Sequence, residues 1–437
     1  MKYFARRWMC VMLIALMLLS LAACGDKPQT PGATFTPSVG GDPTLPSGTT
    51  TAAPPSGEVD IRLLEEEGWI NYNYGFSQVP MAFADDGIYY TNSSGFLRYF
   101  DKITGVSLTL CQRTGCLHEE EEDPEKREEC EAIIGHPKIF FFWNGGIYFD
   151  VSTSHGQELY RREADGTAEQ KVAEICADYR GADLSCNIYD TLFVEGSLYY
   201  RVNVNKRETE NGVTTTLSTD NVLLHLDLAS GEERELLRMK EEEGSFSLLA
   251  GHKDAVLIKT TAKYDPAEGG IEALYNAQVS IRLFSPKSET PKILLQATHR
   301  ELGHTVYLSG GELYSGPIDT DAGRALNLLT GEQREYTMPG DHIYGDYYKT
   351  VTQVDEQTRH WTVYNAQTGQ SFENVLKDIW CSSTTISDAD GAVFELMFRD
   401  EESGKTTYSY CYVAFEDITD GLQKEDFVEI ISRSGRG

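Results

Sequence analysis

The sequence predicts an all-β fold, a β-propeller with seven blades (six or eight are the alternatives), and three observations support it. Short runs rich in Tyr, Phe, Val and Ile are bounded by Gly, Asp and Asn, whereas helical periodicity is nearly absent. Two short elements recur along the chain. The recurring units begin about 50 residues apart on average, which suits one four-stranded blade each.

The first recurring element is a small turn followed by an aromatic strand. Aromatic and β-branched residues favour the pleated surface of a strand, so core and inter-blade packing explains most of the 24 tyrosines. Its copies are Gly87–Tyr90, Gly146–Phe149, Gly196–Tyr200, Gly311–Tyr314 and Gly391–Phe394.

The second recurring element is a hairpin turn that begins with Asp or Asn and ends with Gly four residues later. The first residue bonds to backbone within the turn, and Gly supplies the positive φ that closes it. Its copies are Asp101–Gly105, Asp227–Gly231, Asn327–Gly331 and Asn365–Gly369. With these turns the units are Met81–Leu110, Phe140–Val172, Ile188–Leu237, Leu248–Leu295, Val306–Thr337, His342–Val375 and Thr385–Ile430.

The segment before the first unit, Trp69–Ser77, alternates apolar and polar residues. We expect it to form a strand that pairs with the last blade and closes the ring, because closure removes exposed strand edges.

The amino terminus has the features of an export signal. Lys2, Arg6 and Arg7 precede an apolar run, Val11–Leu21, that is short for a permanent membrane helix. The following Leu21-Ala-Ala-Cys24 resembles the lipobox of bacterial lipoprotein precursors. That resemblance implies cleavage after residue 23 and a thioether-linked diacylglycerol on Cys24, with acyl chains such as palmitate; two acyl chains give stable anchoring. An ordinary secretory peptide is the alternative.

Residues 24–58 are predicted to be a disordered linker, and residues 59–437 the folded domain. Seven of the fifteen prolines lie in the linker, which has too few apolar side chains to offset the entropy of ordering. Loss of the signal peptide removes three basic residues and changes the net charge from −30 to −33. Such an acidic chain is not suited to binding nucleic acid or anionic lipid headgroups.

Between the first and second units we predict a helical insertion at about 111–136 that carries three cysteines and a histidine. Asp123 and Pro124 favour a helix start and Gly135 an end, and Cys130 would then share an inward face with Ile133 and Ile134. Three thiolates and one imidazole are a tetrahedral zinc ligand set. The candidate ligands of one structural zinc are Cys111, Cys116, His118 and Cys130.

Two alternatives remain for this trio of cysteines: one disulfide with a free thiol, or inert thiols. The mature fold has seven cysteines, so pairing leaves an odd one. The four cysteines outside the trio suggest two candidate disulfides, Cys176–Cys186 and Cys381–Cys411.

The strands of the Ile-Tyr-Tyr type and hairpins such as Leu159-Tyr160-Arg161 before Asp165-Gly166 resemble a known family. These are bacterial surface lipoproteins that carry a YWTD-like propeller of unknown function, although no Tyr-Trp-Thr-Asp occurs here. The resemblance implies a propeller on the outer face of the cell membrane and a similar Cys-Cys-His-Cys cluster. It provides no catalytic residue.

The sequence contains no nucleophile elbow, phosphate-binding loop or dinucleotide fingerprint. His299 and His304 have the wrong spacing for a zinc-protease helix and are expected in a loop. We therefore favour an anchored binding or scaffolding module for a glycan, peptide or protein. The alternative is a glycosidase or lyase that uses paired carboxylates at the propeller channel.

Overall fold

The computed structural model describes residues 57–71 and 79–434. Gaps within these ranges fall at 119–122, 154–155, 180, 182, 211–212, 304–305, 317–321, 338–340, 345–346, 356–357, 366–367, 378 and 400–405. The signal peptide, Cys24 and all but the last two residues of the predicted linker lie outside the described residues. Within the described part, no helix is long and apolar enough to span a membrane.

A two-residue strand, β1 (Ile70–Asn71), precedes seven antiparallel sheets in the described residues. Sheet 1 contains β2 (Met81–Ala84), β3 (Gly87–Thr91), β4 (Leu97–Asp101) and β5 (Ser107–Thr109). Sheet 2 contains β6 (Phe140–Trp143), β7 (Gly146–Thr153), β8 (Gly156–Glu163) and β9 (Gln170–Ile175). Sheet 3 contains β10 (Leu184–Val194), β11 (Ser197–Glu210), β12 (Val213–Asp227) and β13 (Glu233–Lys240). Sheet 4 contains β14 (Gly244–His252), β15 (Ala255–Ala262), β16 (Gln278–Phe284) and β17 (Lys292–Thr298).

Sheet 5 contains β18 (Val306–Ser309), β19 (Glu312–Ser315), β20 (Ala322–Asn327) and β21 (Gln333–Thr337). Sheet 6 contains β22 (Asp341–Tyr344), β23 (Tyr347–Gln353), β24 (Thr358–Asn365) and β25 (Ser371–Lys377). Sheet 7 contains β26 (Ile379–Ser387), β27 (Gly391–Arg399), β28 (Thr406–Ala414) and β29 (Val428–Ser434). The short α-helices are α1 (Pro124–Glu128), α2 (Pro266–Gly269), α3 (Ile271–Tyr275), α4 (His299–Leu302) and α5 (Phe415–Asp420), and the 3₁₀ turns are Ile61–Glu65, Ala177–Tyr179 and Lys424–Asp426.

Neighbouring sheets are joined mainly through their first strands. Strand β2 contacts β6 and β26, β14 contacts β10 and β18, and β22 contacts β26. The two remaining junctions are aromatic: the ring centroids of Phe141 and Phe193 are 4.0 Å apart, and those of Tyr307 and Tyr348 are 5.2 Å apart. The sheets therefore form a closed ring with their first strands toward the axis, which confirms the predicted β-propeller.

Each predicted unit falls on one sheet, and both recurring elements have fixed places within a sheet. The aromatic element begins the second strand, and the Asp/Asn turn joins the third strand to the fourth. In the first copy, Asp101 Oδ1 accepts from the N–H groups of Ile103 and Thr104, both at 2.8 Å. Gly105 donates to the Asp101 carbonyl at 2.9 Å and has φ of 68°. The local chemistry inferred from the sequence is therefore confirmed.

The expected pairing of the amino-terminal strand with the last blade is wrong for the described residues. Strand β1 pairs with β14, with Ile70 opposite Gly251 and Asn71 opposite Ala250. It thus extends sheet 4 at its inner edge. Ring closure instead uses side-chain packing between sheets 1 and 7, because each sheet already has four strands of its own.

The closing contact is a shared apolar cluster. Met81 and Ile88 of sheet 1 are buried with Val393 and Tyr412 of sheet 7. The Tyr90 hydroxyl also donates to the Ile430 carbonyl at 3.3 Å. These contacts bury the surfaces of sheets 1 and 7 that face each other. Packing therefore closes the ring in place of the expected strand pairing.

The segment 57–71 lies between sheets 4 and 5. Leu64 is 1% exposed and belongs to the apolar cluster of these two sheets. The Trp69 indole N–H donates to the Leu63 carbonyl at 2.9 Å, and its ring stacks on His252 of β14. The side-chain N–H of Asn71 donates to the Leu308 carbonyl at 2.8 Å, and the side-chain oxygen of Asn71 accepts from the Leu308 N–H at 2.7 Å. Asn71 therefore links its own sheet to β18.

The expectation of a loop at His299 is also wrong, because His299–Leu302 form helix α4. Thr298 and Glu301 form a reciprocal capping box at its start. Capping satisfies the free N–H groups of a short helix, which explains a helix in a β-rich region. His304 lies outside the described residues.

Candidate metal centre

The candidate ligands begin directly after the fourth strand of sheet 1. Strand β5 ends at Thr109, and a turn at Thr114–Gly115 follows Cys111. Gly115 has φ of 75°, and His118 has φ of 54°, a left-handed conformation that costs energy for a side chain larger than glycine. The two left-handed residues bend the loop back on itself, so Cys116 and His118 face Cys111.

Cys130 reaches the same place from the other end of the insertion. Asp123 caps helix α1 by accepting from the Glu125 N–H at 3.1 Å, as predicted. The helix ends at Glu128, so the expectation that it continues to Gly135 is wrong. The N–H of Leu97 donates to the Ala132 carbonyl at 2.7 Å, and this pairing with sheet 1 replaces helical bonds beyond Cys130.

The insertion docks on the turn between β3 and β4. The N–H groups of Ile134 and Gly135 both donate to the Gly95 carbonyl, at 3.0 and 3.1 Å. Phe96 and Cys130 are buried in one small apolar cluster. A Cβ at Gly95 would lie 2.8 Å from the Gly135 Cα, so the close approach of the two chains requires glycine there. The blade therefore provides a fixed base for the ligands.

The structure brings all four predicted ligands together. The Sγ atoms of Cys111, Cys116 and Cys130 and a ring nitrogen of His118 all lie within 4.8 Å of one another. The Cys130 Sγ and His118 Nδ1 are 3.5 Å apart. Cys130 is 3% exposed, and the other three are half-buried. In the described residues this is the one group of three or more Cys, His, Asp and Glu side chains with such geometry.

The thiols of the cluster differ in acidity. Burial, with hydrogen bonds to the neighbouring thiols, raises the pKa of Cys130 to about 12. Burial opposes ionisation of Cys116 as well, but hydrogen bonds from the His118 N–H and the Cys130 and Cys111 thiols lower its pKa overall. Cys116 is thus the better placed of these two to exist as a thiolate.

A contact that was not predicted from the sequence holds the ligand loop against the residues that follow helix α1. The Arg113 guanidinium lies 2.5 Å from the Glu129 carboxylate and also donates to the Glu129 carbonyl at 3.2 Å. The Gln112 N–H donates to the Glu131 carboxylate at 3.3 Å. Both links are exposed and so are weak in energy, but they hold the Cys111–Cys116 loop against the Cys130 side. The sequence feature that could have indicated this contact is Arg113, which lies between two candidate ligands, with Glu129 directly before Cys130.

The structure contains no disulfide between Cys176 and Cys186, the first predicted pair, both of which it describes. They belong to the same apolar cluster between sheets 2 and 3. Burial raises the pKa of Tyr200 well above its ordinary value, and both thiols contribute to the rise. The two cysteines therefore lie near one hydroxyl, and their disulfide stays a prediction.

The second predicted pair, Cys381–Cys411, is wrong for this fold. Cys381 of β26 lies opposite Leu396, and Cys411 of β28 lies opposite Phe394, so β27 separates the two cysteines. Alternate strands are about 9.5 Å apart, and a disulfide needs Cα atoms within about 7 Å. Cys411 is a buried free thiol, and burial raises its pKa.

A cavity of about 660 Å³ lies at the inner edge of the ring, between the segment Leu64–Asn71 and turns of sheets 5 and 7. Its carboxylates include Asp388. A glycosidase or lyase acting at the channel would need such a carboxylate without a salt-bridge partner. The Lys102 ammonium lies 3.0 Å from Asp388 and 3.1 Å from Asp390, and its side chain is 8% exposed. Asp388 also accepts from the N–H groups of Asp390 and Gly391. This carboxylate therefore stabilises the turn and neutralises a buried lysine.

Comparison with known proteins gives a likeness of fold. No protein-family model and no curated protein matches the chain. Among solved structures it is similar to an oligogalacturonate lyase in complex with manganese (12% identity, 80% of this chain and 92% of that one, TM-score 0.42). It is also similar to the oligogalacturonate lyase from Vibrio parahaemolyticus (11%, 76% and 89%, 0.43) and to TolB from Acinetobacter baumannii (10%, 80% and 83%, 0.30). At such low sequence identities and TM-scores, these similarities support no inference about the activity of this chain.

Proposed function

We propose that this chain is a lipid-anchored, extracytoplasmic binding module whose propeller carries one structural zinc ion. The metal assignment rests on one observation: three thiols and one imidazole converge on one point of the fold. The first and last of these residues, Cys111 and Cys130, are 19 positions apart in the sequence. Each part of the proposal has its own support and its own test.

The four side chains fit zinc in number, type and spacing. A tetrahedral zinc with bonds of about 2.0–2.3 Å places its ligand atoms about 3.5–3.8 Å apart. The separations of up to 4.8 Å need only small side-chain movements to reach that geometry. The ligand identities, sulfur with one nitrogen, are those of structural zinc sites.

A site with four protein ligands has a structural role. It leaves no open position for water or substrate, so zinc would supply a cross-link between the loop, the helix and sheet 1. A zinc bound by four protein ligands supplies no catalytic group, and Asp388 of the inner cavity is already paired with Lys102. This favours a binding role.

The anchor rests on the sequence alone. The apolar run Val11–Leu21, the lipobox-like Leu21–Cys24 and the proline-rich linker together support lipid attachment at Cys24 on the outer face of the membrane.

Metal analysis of the full chain, purified without chelator, tests the zinc centre. We expect about one zinc per chain, and a large loss of zinc in Cys111→Ser and Cys116→Ser. Cys186→Ser is the matched control, because Cys186 is a half-buried free thiol outside the cluster.

Removal of zinc by a chelator should increase hydrogen exchange in residues 111–135 while the sheets stay protected, because each sheet has its own apolar packing. A zinc-free protein with only one reactive thiol among Cys111, Cys116 and Cys130 under denaturing conditions would show a disulfide and refute the metal centre.

A further inference from the structure

A second cavity, of about 560 Å³, lies between sheets 3 and 4, away from the metal centre. Its floor is formed by polar side chains of β11 and β12 and its walls by the ends of β14 and β15. Tyr189 and Tyr264 also line it, together with the oppositely charged Glu241 and Lys263. The volume is within the usual range for a small-molecule site.

The register of sheet 3 places its amides in a row. Asn203 of β11 lies opposite Asn221 of β12 and opposite Asn187 of β10. Residues directly opposite in antiparallel strands point to the same face. The next row on this face contains Asn205 opposite Thr219, and the Thr219 hydroxyl donates to the Asn205 side-chain oxygen at 2.9 Å.

This face changes character along its length. Four residues before Asn203 on β11, Tyr199 packs with Leu223 of β12 against Phe246 and Leu248 of sheet 4 in an apolar cluster. Asn203 and Asn221 continue the same face by the two-residue period of a strand. An interface that served packing alone would continue with apolar side chains there. The change to amides therefore marks the point where the two sheets part to form the cavity.

One of these amides has an unsatisfied polar atom. The side-chain oxygen of Asn203 is buried and has no hydrogen-bond partner in the described residues. Asn221 is 7% exposed and lines the same cavity. A buried polar group without a partner costs about 1–3 kcal/mol, so native proteins rarely keep one without a use.

The lining defines the chemistry of a ligand. Each amide offers two donors and a two-lone-pair acceptor, which matches hydroxyl groups that both donate and accept. The two tyrosines offer aromatic faces to the C–H surface of a ring. Glu241 and Lys263 are exposed and of opposite sign, so the lining does not select a charged ligand.

We infer that this cavity, with Asn203 and Asn221 at its floor, binds a neutral sugar of an oligosaccharide. The inference rests on the proposed binding role and specifies its site and ligand class. The hydroxyl groups of the sugar complete the hydrogen bonds of the two amides, and a tyrosine covers one face of the ring.

A glycan array of neutral oligosaccharides, probed with the full chain in a polyoxyethylene detergent, provides the test. We expect binding by the wild type and about a tenfold weaker affinity for Asn203→Leu, with a similar loss for Asn221→Leu. Asn187→Leu is the matched control, since Asn187 is in the same row but exposed and outside the cavity, and it should bind as wild type does.

Thermal melting separates binding from folding. Asn203→Leu removes a buried amide oxygen that has no hydrogen-bond partner in the described residues, so its melting temperature should equal or exceed that of the wild type. Saccharide binding that is equal in all four proteins, or no saccharide binding at all, would overturn the inference. A parallel peptide array keeps the two proposals distinct: peptide binding without saccharide binding rejects the sugar site and retains the binding module, and silence on both arrays rejects both.

Discussion

At the scale of single residues, the hydrogen bonding of the Asp/Asn turns was predictable from the sequence because it involves only residues within each turn. Asp101 and Gly105 bond within one turn, so the residue types alone specify the geometry. The amides of the second cavity could not be predicted in the same way. Asn203 and Asn221 are 18 positions apart, and only the register of β11 against β12 places them together.

The buried histidine of sheet 3 should make stability depend on pH. His225 lies against Tyr199, and its Nε2 is 3.1 Å from the Ser197 hydroxyl oxygen. That hydroxyl donates to the Lys253 carbonyl, so the imidazole is the donor to Ser197. Burial lowers the pKa of His225 from 6.5 to about 4.

Because the folded pKa is the lower one, the unfolded chain takes up the proton first. The contribution of His225 is complete above pH 6.5 and falls by about 3 kcal/mol as pH drops to 4. Denaturant unfolding at pH 7, 5.5 and 4 should show a smaller pH dependence for His225→Gln than for wild type. The exposed His136→Gln serves as the control, and equal slopes in all three proteins would contradict the assignment.

At the scale of elements, the alternation in Trp69–Ser77 predicted a strand but the wrong partner. The pattern reports which side chains face inward, and it contains no information on which sheet edge lies nearby. Strand β1 pairs with β14 because the preceding 3₁₀ turn, Ile61–Glu65, seats Leu64 between sheets 4 and 5. Similarly, counting cysteines suggested the Cys381–Cys411 pair, which the intervening β27 excludes.

Truncation of Leu64 should therefore weaken the joint between sheets 4 and 5. Leu64 is 1% exposed in an apolar cluster, so Leu64→Ala removes buried apolar contacts, and we expect a loss of about 2–5 kcal/mol in the free energy of unfolding. Ile70→Ala, in the neighbouring strand but 48% exposed, should cost less than about 1 kcal/mol. Chemical denaturation of the two variants is the measurement. If both unfold like the wild type, the segment does not contribute to the ring.

At the scale of the whole molecule, the propeller was predictable because its evidence repeats. Five copies of the aromatic element and four of the Asp/Asn turn are stronger evidence than one copy of each, and each unit is formed by consecutive strands. The cluster of Cys111, Cys116, His118 and Cys130 was predictable for a different reason: the four residues are near in sequence, so their spacing alone allowed them to converge. No comparable sequence pattern identifies the ligand of the protein, because proteins with the same fold can have different functions.

The predicted anchor is tested on intact cells and membranes. Detergent phase partitioning of the wild type should place the mature protein in the detergent phase, because two acyl chains hold it there. Cys24→Ala should remain uncleaved or be released into the medium. Recovery of wild-type protein wholly in the aqueous phase would end the anchor proposal.

In the part of the chain that the structure describes, sheet 1 packs on sheet 7 without a strand shared between the two ends of the ring. Each blade is a consecutive length of chain, so most of its hydrogen bonds form between close neighbours in sequence. During synthesis a blade can therefore fold as soon as its own residues emerge. Only the last contact, between the first and seventh blades, must wait for the whole chain. Until then the apolar face around Met81 and Ile88 stays open, and it is the surface through which incomplete chains would aggregate.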